Sequence, residues 1–218
     1  MLAGGGLAAC GREPDHDQRH GDHGEDEPRE HAGSVPPRLP RRKQGSPRRR
    51  AFPRLTCIVP SLENLAPFQI AFVVRDLERA VREFDSRLSA GPWRGWVFGP
   101  QGKGREYRGL AAEWSLRLAL NSRSPQYELI EPLDGPSIHA DWLAERGEGF
   151  HHVAYAVASV AAVAAEMEAA GHPVVARIHS FGAAGDGAAA YFDTSEALGF
   201  LVEAVEPPEQ MPPPDFTL

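Results

Sequence analysis

The chain has 218 residues, 42% of them hydrophobic and 24% charged, with a formal net charge of −7. That length fits one domain, or one domain with a tail, and the balance is that of a globular protein. No run approaches the roughly 18 consecutive apolar residues of a membrane span, and the acidic charge of the chain beyond Val59 speaks against a nucleic-acid surface on the folded part.

Residues 1–62 are rich in Gly, Pro, Arg, Asp and His and show no apolar periodicity. Such a segment cannot bury enough apolar surface to offset its ordering entropy, so it reads as a disordered extension. Its charges are first mainly acidic (Glu13 to Glu30) and then basic (Arg41 to Arg50). His16, His20, His23 and His31 belong to this solvated tail. Both cysteines, Cys10 and Cys57, lie before the first periodic segment, which leaves the domain without thiol ligands or disulfides. Leu7-Ala8-Ala9-Cys10 looks like a lipoprotein cleavage box. Its apolar run is short and no positive charge precedes it, so a cytoplasmic location is the expectation.

From Phe68 the texture changes. Phe68–Val74 is a short β-rich apolar run, read as a buried strand. Asp76 follows as an N-cap, and Leu77, Ala80, Val81, Phe84 and Leu88 form one helical face ended by Gly91-Pro92. Trp96–Phe98, Trp114–Leu120 and Tyr127–Ile130 read as three strands between loops of Gly, Ser, Asn and Pro. Residues 133–149 form a linker with a short helix. The same order then recurs: strand His151–Val157, cap Ser159, a helix with Val160, Val163, Ala164 and Met167 on one face, and Gly171 and Pro173 closing it. Val174–Ile178, Ala188–Phe192 and Phe200–Val205 supply three more strands. Residues 209–218 are a C-terminal tail.

The two halves align without a gap. Phe68–Phe84 set over His151–Met167 puts Ala71 on Ala154, Phe72 on Tyr155, Val74 on Val157 and Leu77 on Val160. Tyr127–Pro132 set over Val202–Pro207 puts Glu128 on Glu203. Two tandem β-α-β-β-β modules follow, one over 68–132 and one over 150–207, within a domain of 63–208 and an α+β fold class. The register also selects four residues. Gln69 and His152 head the first strands, and Glu128 and Glu203 sit on the last. A polar group on an otherwise apolar strand face is costly without a partner. One imidazole, two carboxylates and an amide oxygen suit a divalent ion such as Zn, Ni, Co, Mn or Fe(II). By strand parity, the neighbouring His151 points to the opposite face.

The order Gln69, Glu128, His152, Glu203 resembles the vicinal oxygen chelate superfamily, of glyoxalase I and methylmalonyl-CoA epimerase type. The stretches Glu128–Val157 and Gly199–Pro208 resemble its epimerase-like branch. The resemblance implies a cup-shaped mixed sheet around a central metal site. It also implies a metal-dependent isomerase or lyase acting on a small oxygenated substrate, such as a thioester. Glu203 is then the first choice of base and Glu128 its symmetry partner. Epimerases of this kind usually carry His where Gln69 stands, and their second base has only Glu113 as a counterpart. Gln69 in place of His also leaves a two-His, one-carboxylate iron site incomplete, which disfavours a ring-cleaving dioxygenase. The alternative is a non-catalytic protein that sequesters a drug or another small molecule in the same cup.

Candidate wall residues are Trp96, Tyr107, Arg108, Arg117 and Tyr191, with Trp93, Phe98 and Arg177 beside them. Either Arg108 or Arg117 is suited to pair with a substrate carboxylate or phosphate. The expected partner is a small-molecule substrate, and the fold allows a homodimer. No Gly-rich phosphate loop, nucleophile elbow or dinucleotide fingerprint is present.

Overall fold

The structure is a computed structural model and describes residues 59–99 and 104–218. Cys10, Cys57, the tail histidines and the basic run 41–50 lie outside those residues. In chain order, a 3-10 turn at Pro60–Leu62 precedes β1 (Gln69–Val73), α1 (Leu77–Leu88), β2 (Trp93–Phe98), β3 (Arg105–Tyr107), β4 (Leu110–Ala111), β5 (Ser115–Asn121) and β6 (Gln126–Asp134). Then come α2 (Ile138–Arg146), β7 (Gly149–Ala156), α3 (Val160–Ala169), β8 (Val174–Phe181), β9 (Gly187–Phe192), α4 (Ser195–Leu198), β10 (Leu201–Glu206) and β11 (Phe216–Thr217).

The strands form one mixed, strongly curled sheet in the order β11-β2-β5-β6-β1-β7-β10-β9-β8-β3-β4. Within each module the first strand runs parallel to the last, β1 beside β6 and β7 beside β10. The two modules join through the antiparallel pair β1·β7. That junction obeys a local two-fold: Gln69 faces Ala154 and Ala71 faces His152.

Each module folds its helix onto one face of its own strands. Asp76 accepts from the Arg79 amide at 2.8 Å and starts α1, and Ser159 accepts from the Ala162 amide at 3.2 Å and starts α3. Leu77, Ala80 and Val81 of α1 pack with Trp93, Ala119 and Leu129. Val160, Val163, Ala164 and Met167 of α3 pack with Ala190, Phe192, Val202 and Ala204. Each large aliphatic buried there contributes about 1.5–3 kcal/mol. Since alternate residues leave a strand on opposite sides, this packing turns Glu128, Ile130, Glu203 and Val205 toward the other, concave face.

Several boundaries differ from the sequence reading. Leu88, expected on the apolar face, is 53% exposed, and Ser89 adopts a left-handed conformation (φ 49°) that ends α1 before Gly91-Pro92. The region between β2 and β5 is not merely a loop. It carries the hairpin β3–β4, which leaves its own module and pairs with β8 of the other. Residues Phe216–Thr217 close the opposite edge against β2. Among the described residues, no helix is long and apolar enough to cross a membrane.

Candidate metal centre

Cross-strand registers bring the four polar residues onto one patch of the concave face. Glu128 lies opposite Ala71, which lies opposite His152; Glu203 lies opposite Ala154, which lies opposite Gln69. Ala71 and Ala154 are fully buried, and their methyl groups leave the space above them to longer neighbours. His152 Nε2 is 3.0 Å from Glu203 Oε2 and 3.4 Å from Glu128 Oε2. One ligand atom from each of the three lies within 4.8 Å of the others. All three are buried, His152 completely. Gln69 lines the same cavity, and its Nε2 donates to Gln126 Oε1 at 3.0 Å.

The electrostatics are unbalanced. Burial pushes the His152 imidazole down, but Glu203 and Glu128 overcome it and raise its pKa from 6.5 to about 9. Burial raises the Glu128 carboxyl, opposed by His152 and reinforced by Glu203. Burial, then the negative charge of Glu203 and Glu128, holds the Tyr191 phenol well above its usual value. Two buried carboxyl groups thus meet one imidazolium, and burial holds one of them, Glu128, toward its neutral form. His152 Nε2 also lacks a properly aligned hydrogen-bond partner. An orphaned imidazole nitrogen between two carboxylates fits a divalent cation held by His152, Glu128 and Glu203, with the Gln69 amide beside them.

His151 requires a correction. It does not point away from His152: both are fully buried and their Nδ1 atoms are 2.8 Å apart. The cause is a β-bulge. Phe72 pairs with Phe150 and Ala71 with His152, so His151 is an extra residue and strand parity fails there. A partner on Nδ1 fixes the His152 ring and turns Nε2 to the carboxylates. His139, on α2, was absent from the sequence reading. It is 2% exposed, lines the cavity, and neither ring nitrogen has a partner. Burial and then the nearby His152 lower its pKa to about 3. The available signal was its position among Ile138 and Trp142, the other buried residues of α2.

The cluster is reached from a cavity of about 440 Å³ whose walls are mostly apolar. Tyr191 and Phe98 are on its wall. The other wall candidates are elsewhere. Trp96 donates its Nε1–H to the Pro212 carbonyl at 3.0 Å. Tyr107 donates to Asp141 at 2.6 Å and Arg108 pairs with the same carboxylate at 2.8 Å. Arg117 is bound between Glu78 and Glu131. Trp93 is in the α1 core, Arg177 lies beside Glu168, and Glu113 is exposed. Among the described residues the cation on the wall is instead Arg105, which the sequence reading missed.

A family model described as Glyoxalase/Bleomycin resistance protein/Dioxygenase superfamily matches residues 68–192, more than half of the chain. Among solved structures, a hypothetical protein from Bacillus halodurans is 23% identical over 69% of this chain and 99% of its own, with a TM-score of 0.52. A Streptomyces coelicolor methylmalonyl-CoA epimerase variant, in complex with 2-nitronate-propionyl-CoA, is 22% identical over 68% of this chain and 99% of its own, with a TM-score of 0.50. These identities speak for the fold alone. No curated protein matches the sequence.

Proposed function

The chain belongs to the glyoxalase/bleomycin resistance protein/dioxygenase superfamily, and from that premise we propose that it is a metal-dependent isomerase or lyase of the glyoxalase or epimerase type, acting on a small oxygenated substrate such as an acyl thioester. The observation that carries this reading is the buried Glu128–His152–Glu203 cluster facing an apolar cavity. His152, Glu128, Glu203 and Gln69 would hold the ion. When bound, a divalent ion supplies Lewis acidity that polarises a carbonyl or enediolate oxygen and acidifies the adjacent C–H.

The chain's own groups supply the rest. Glu203 is the base that takes the proton from carbon and returns it, and Glu128 is its counterpart on the first module. Trp114, Leu118 and Ile130 make the wall beside the carboxylates apolar, which weakens the screening of charge that develops there. His151 holds His152 in one orientation through the 2.8 Å Nδ1 contact. The apolar wall itself favours a second reading, in which a hydrophobic molecule is sequestered without turnover.

Elemental analysis of the purified chain, beside deuterium incorporation at C2 of a methylmalonyl thioester in heavy water, tests the proposal. Stoichiometric metal and exchange that Glu203→Gln abolishes, in a variant that stays folded, are expected. Metal-free protein that binds apolar molecules and exchanges nothing would replace the enzyme reading with the sequestering one.

A further inference from the structure

Arg105 is 8% exposed and stands on the cavity wall at the start of β3, opposite Ile178. Its Nη1 donates to the Gly99 and Trp114 carbonyls at 2.8 and 2.6 Å. Its guanidinium lies 4.2 Å from the centroid of the Trp114 ring. Among the described residues no carboxylate pairs with it, whereas Arg79, Arg108 and Arg117 each meet an acid. Its Nε and Nη2 make no hydrogen bond there. Two carbonyls and one aromatic ring hold the planar fork still, but none of them neutralises its charge.

Tethering the hairpin needs only the two Nη1 bonds, which a neutral donor could make. A permanent positive charge in a mostly apolar wall is costly unless an anion completes it, and burial already weakens the guanidinium's hold on its proton. The fork is pre-set for two parallel N–H···O bonds, so an incoming carboxylate loses little ordering entropy on binding. Among the described residues Arg105 is the cation that lines the cavity, so an entering anion settles on it.

The geometry points to Arg105 as an anion subsite: the cavity takes a small amphipathic carboxylate, its charged end on Arg105 and its apolar body along Trp114, Leu118 and Ile178. This names the substrate class of the cavity proposed above. It rests on that cavity being the ligand site, not on the metal.

The test is calorimetric titration of the full chain with octanoate and with octanamide, each in the presence of a chelator and again after zinc loading. Octanoate is expected to bind roughly tenfold or more tighter than octanamide, as a charge-assisted pair requires. The preference should survive chelation, disappear in Arg105→Met and persist in Arg105→Lys. Equal binding of acid and amide, or no binding of either, by the wild-type chain would overturn the assignment without need of a variant. A preference that vanishes with the chelator and is unchanged in Arg105→Met would place the carboxylate on the metal. That outcome would refute the Arg105 subsite while leaving the metal reading intact. The opposite pattern, with no metal uptake but a preference lost in Arg105→Met, would do the reverse.

Discussion

The buried imidazoles dictate how the metal-free protein responds to pH. His152 has its pKa raised from 6.5 to about 9 against burial by Glu203 and Glu128. Its contribution is therefore complete below pH 6.5 and lost as pH rises through 9, about 3 kcal/mol in all. Burial also raises the Glu128 carboxyl, so stability falls in the same sense as pH rises above 4.5 and the unfolded chain ionises first. His139 works oppositely. Burial lowers it from 6.5 to about 3, so the unfolded chain binds the extra proton as pH falls below 6.5. The loss approaches about 5 kcal/mol near pH 3. His151, pushed down by burial, adds to that acid limb. Urea denaturation of chelator-treated protein at fixed pH values between 4 and 10 should therefore give a dome with its maximum near pH 6.5. Zinc, which needs His152 unprotonated, should flatten the alkaline limb. A flat profile, or a maximum near pH 9, would refute the assignment of charge to these three histidines.

Three further outcomes follow from local contacts. Ser159→Ala removes the hydroxyl that caps α3 and should cost about 1 kcal/mol by chemical denaturation. Gly95→Val places a side chain inside the Phe216 ring; β11 should detach from β2, seen as faster amide exchange at 93–97 and 215–218. Because Met211 and Pro212 of the same tail line the cavity, that variant should also weaken octanoate binding. His151→Phe removes the partner of His152 Nδ1 and should lower zinc affinity roughly 10- to 100-fold while the far-ultraviolet circular dichroism is unchanged.

The modules were legible because each half had to solve the same packing problem. Leu77 and Val160 fill equivalent places under equivalent helices, and that constraint is written locally every three or four residues. The cluster was legible for a related reason: pairing Glu128 with Glu203 and Gln69 with His152 depends only on the internal repeat. What stayed hidden depends on partners distant in sequence. Whether His151 faces in or out is set by a bulge against β1. Nothing in the local pattern of Arg105–Ala111 shows that the hairpin leaves its module for β8, and that crossing is what brings Arg105 to the wall. Arg108 and Arg117 are no poorer anion binders by chemistry than Arg105. The acids folded against them, Asp141 for one and Glu78 with Glu131 for the other, remove them from contention.

The central claim is that a divalent ion belongs between His152, Glu128 and Glu203. Anomalous diffraction from crystals of the full chain grown with zinc or cobalt locates it directly. The expected result is one peak at about 2.0–2.2 Å from His152 Nε2 and from an oxygen of each glutamate, lost in His152→Ala. No peak in the cavity, or a peak only on histidines of residues 1–58, would contradict it.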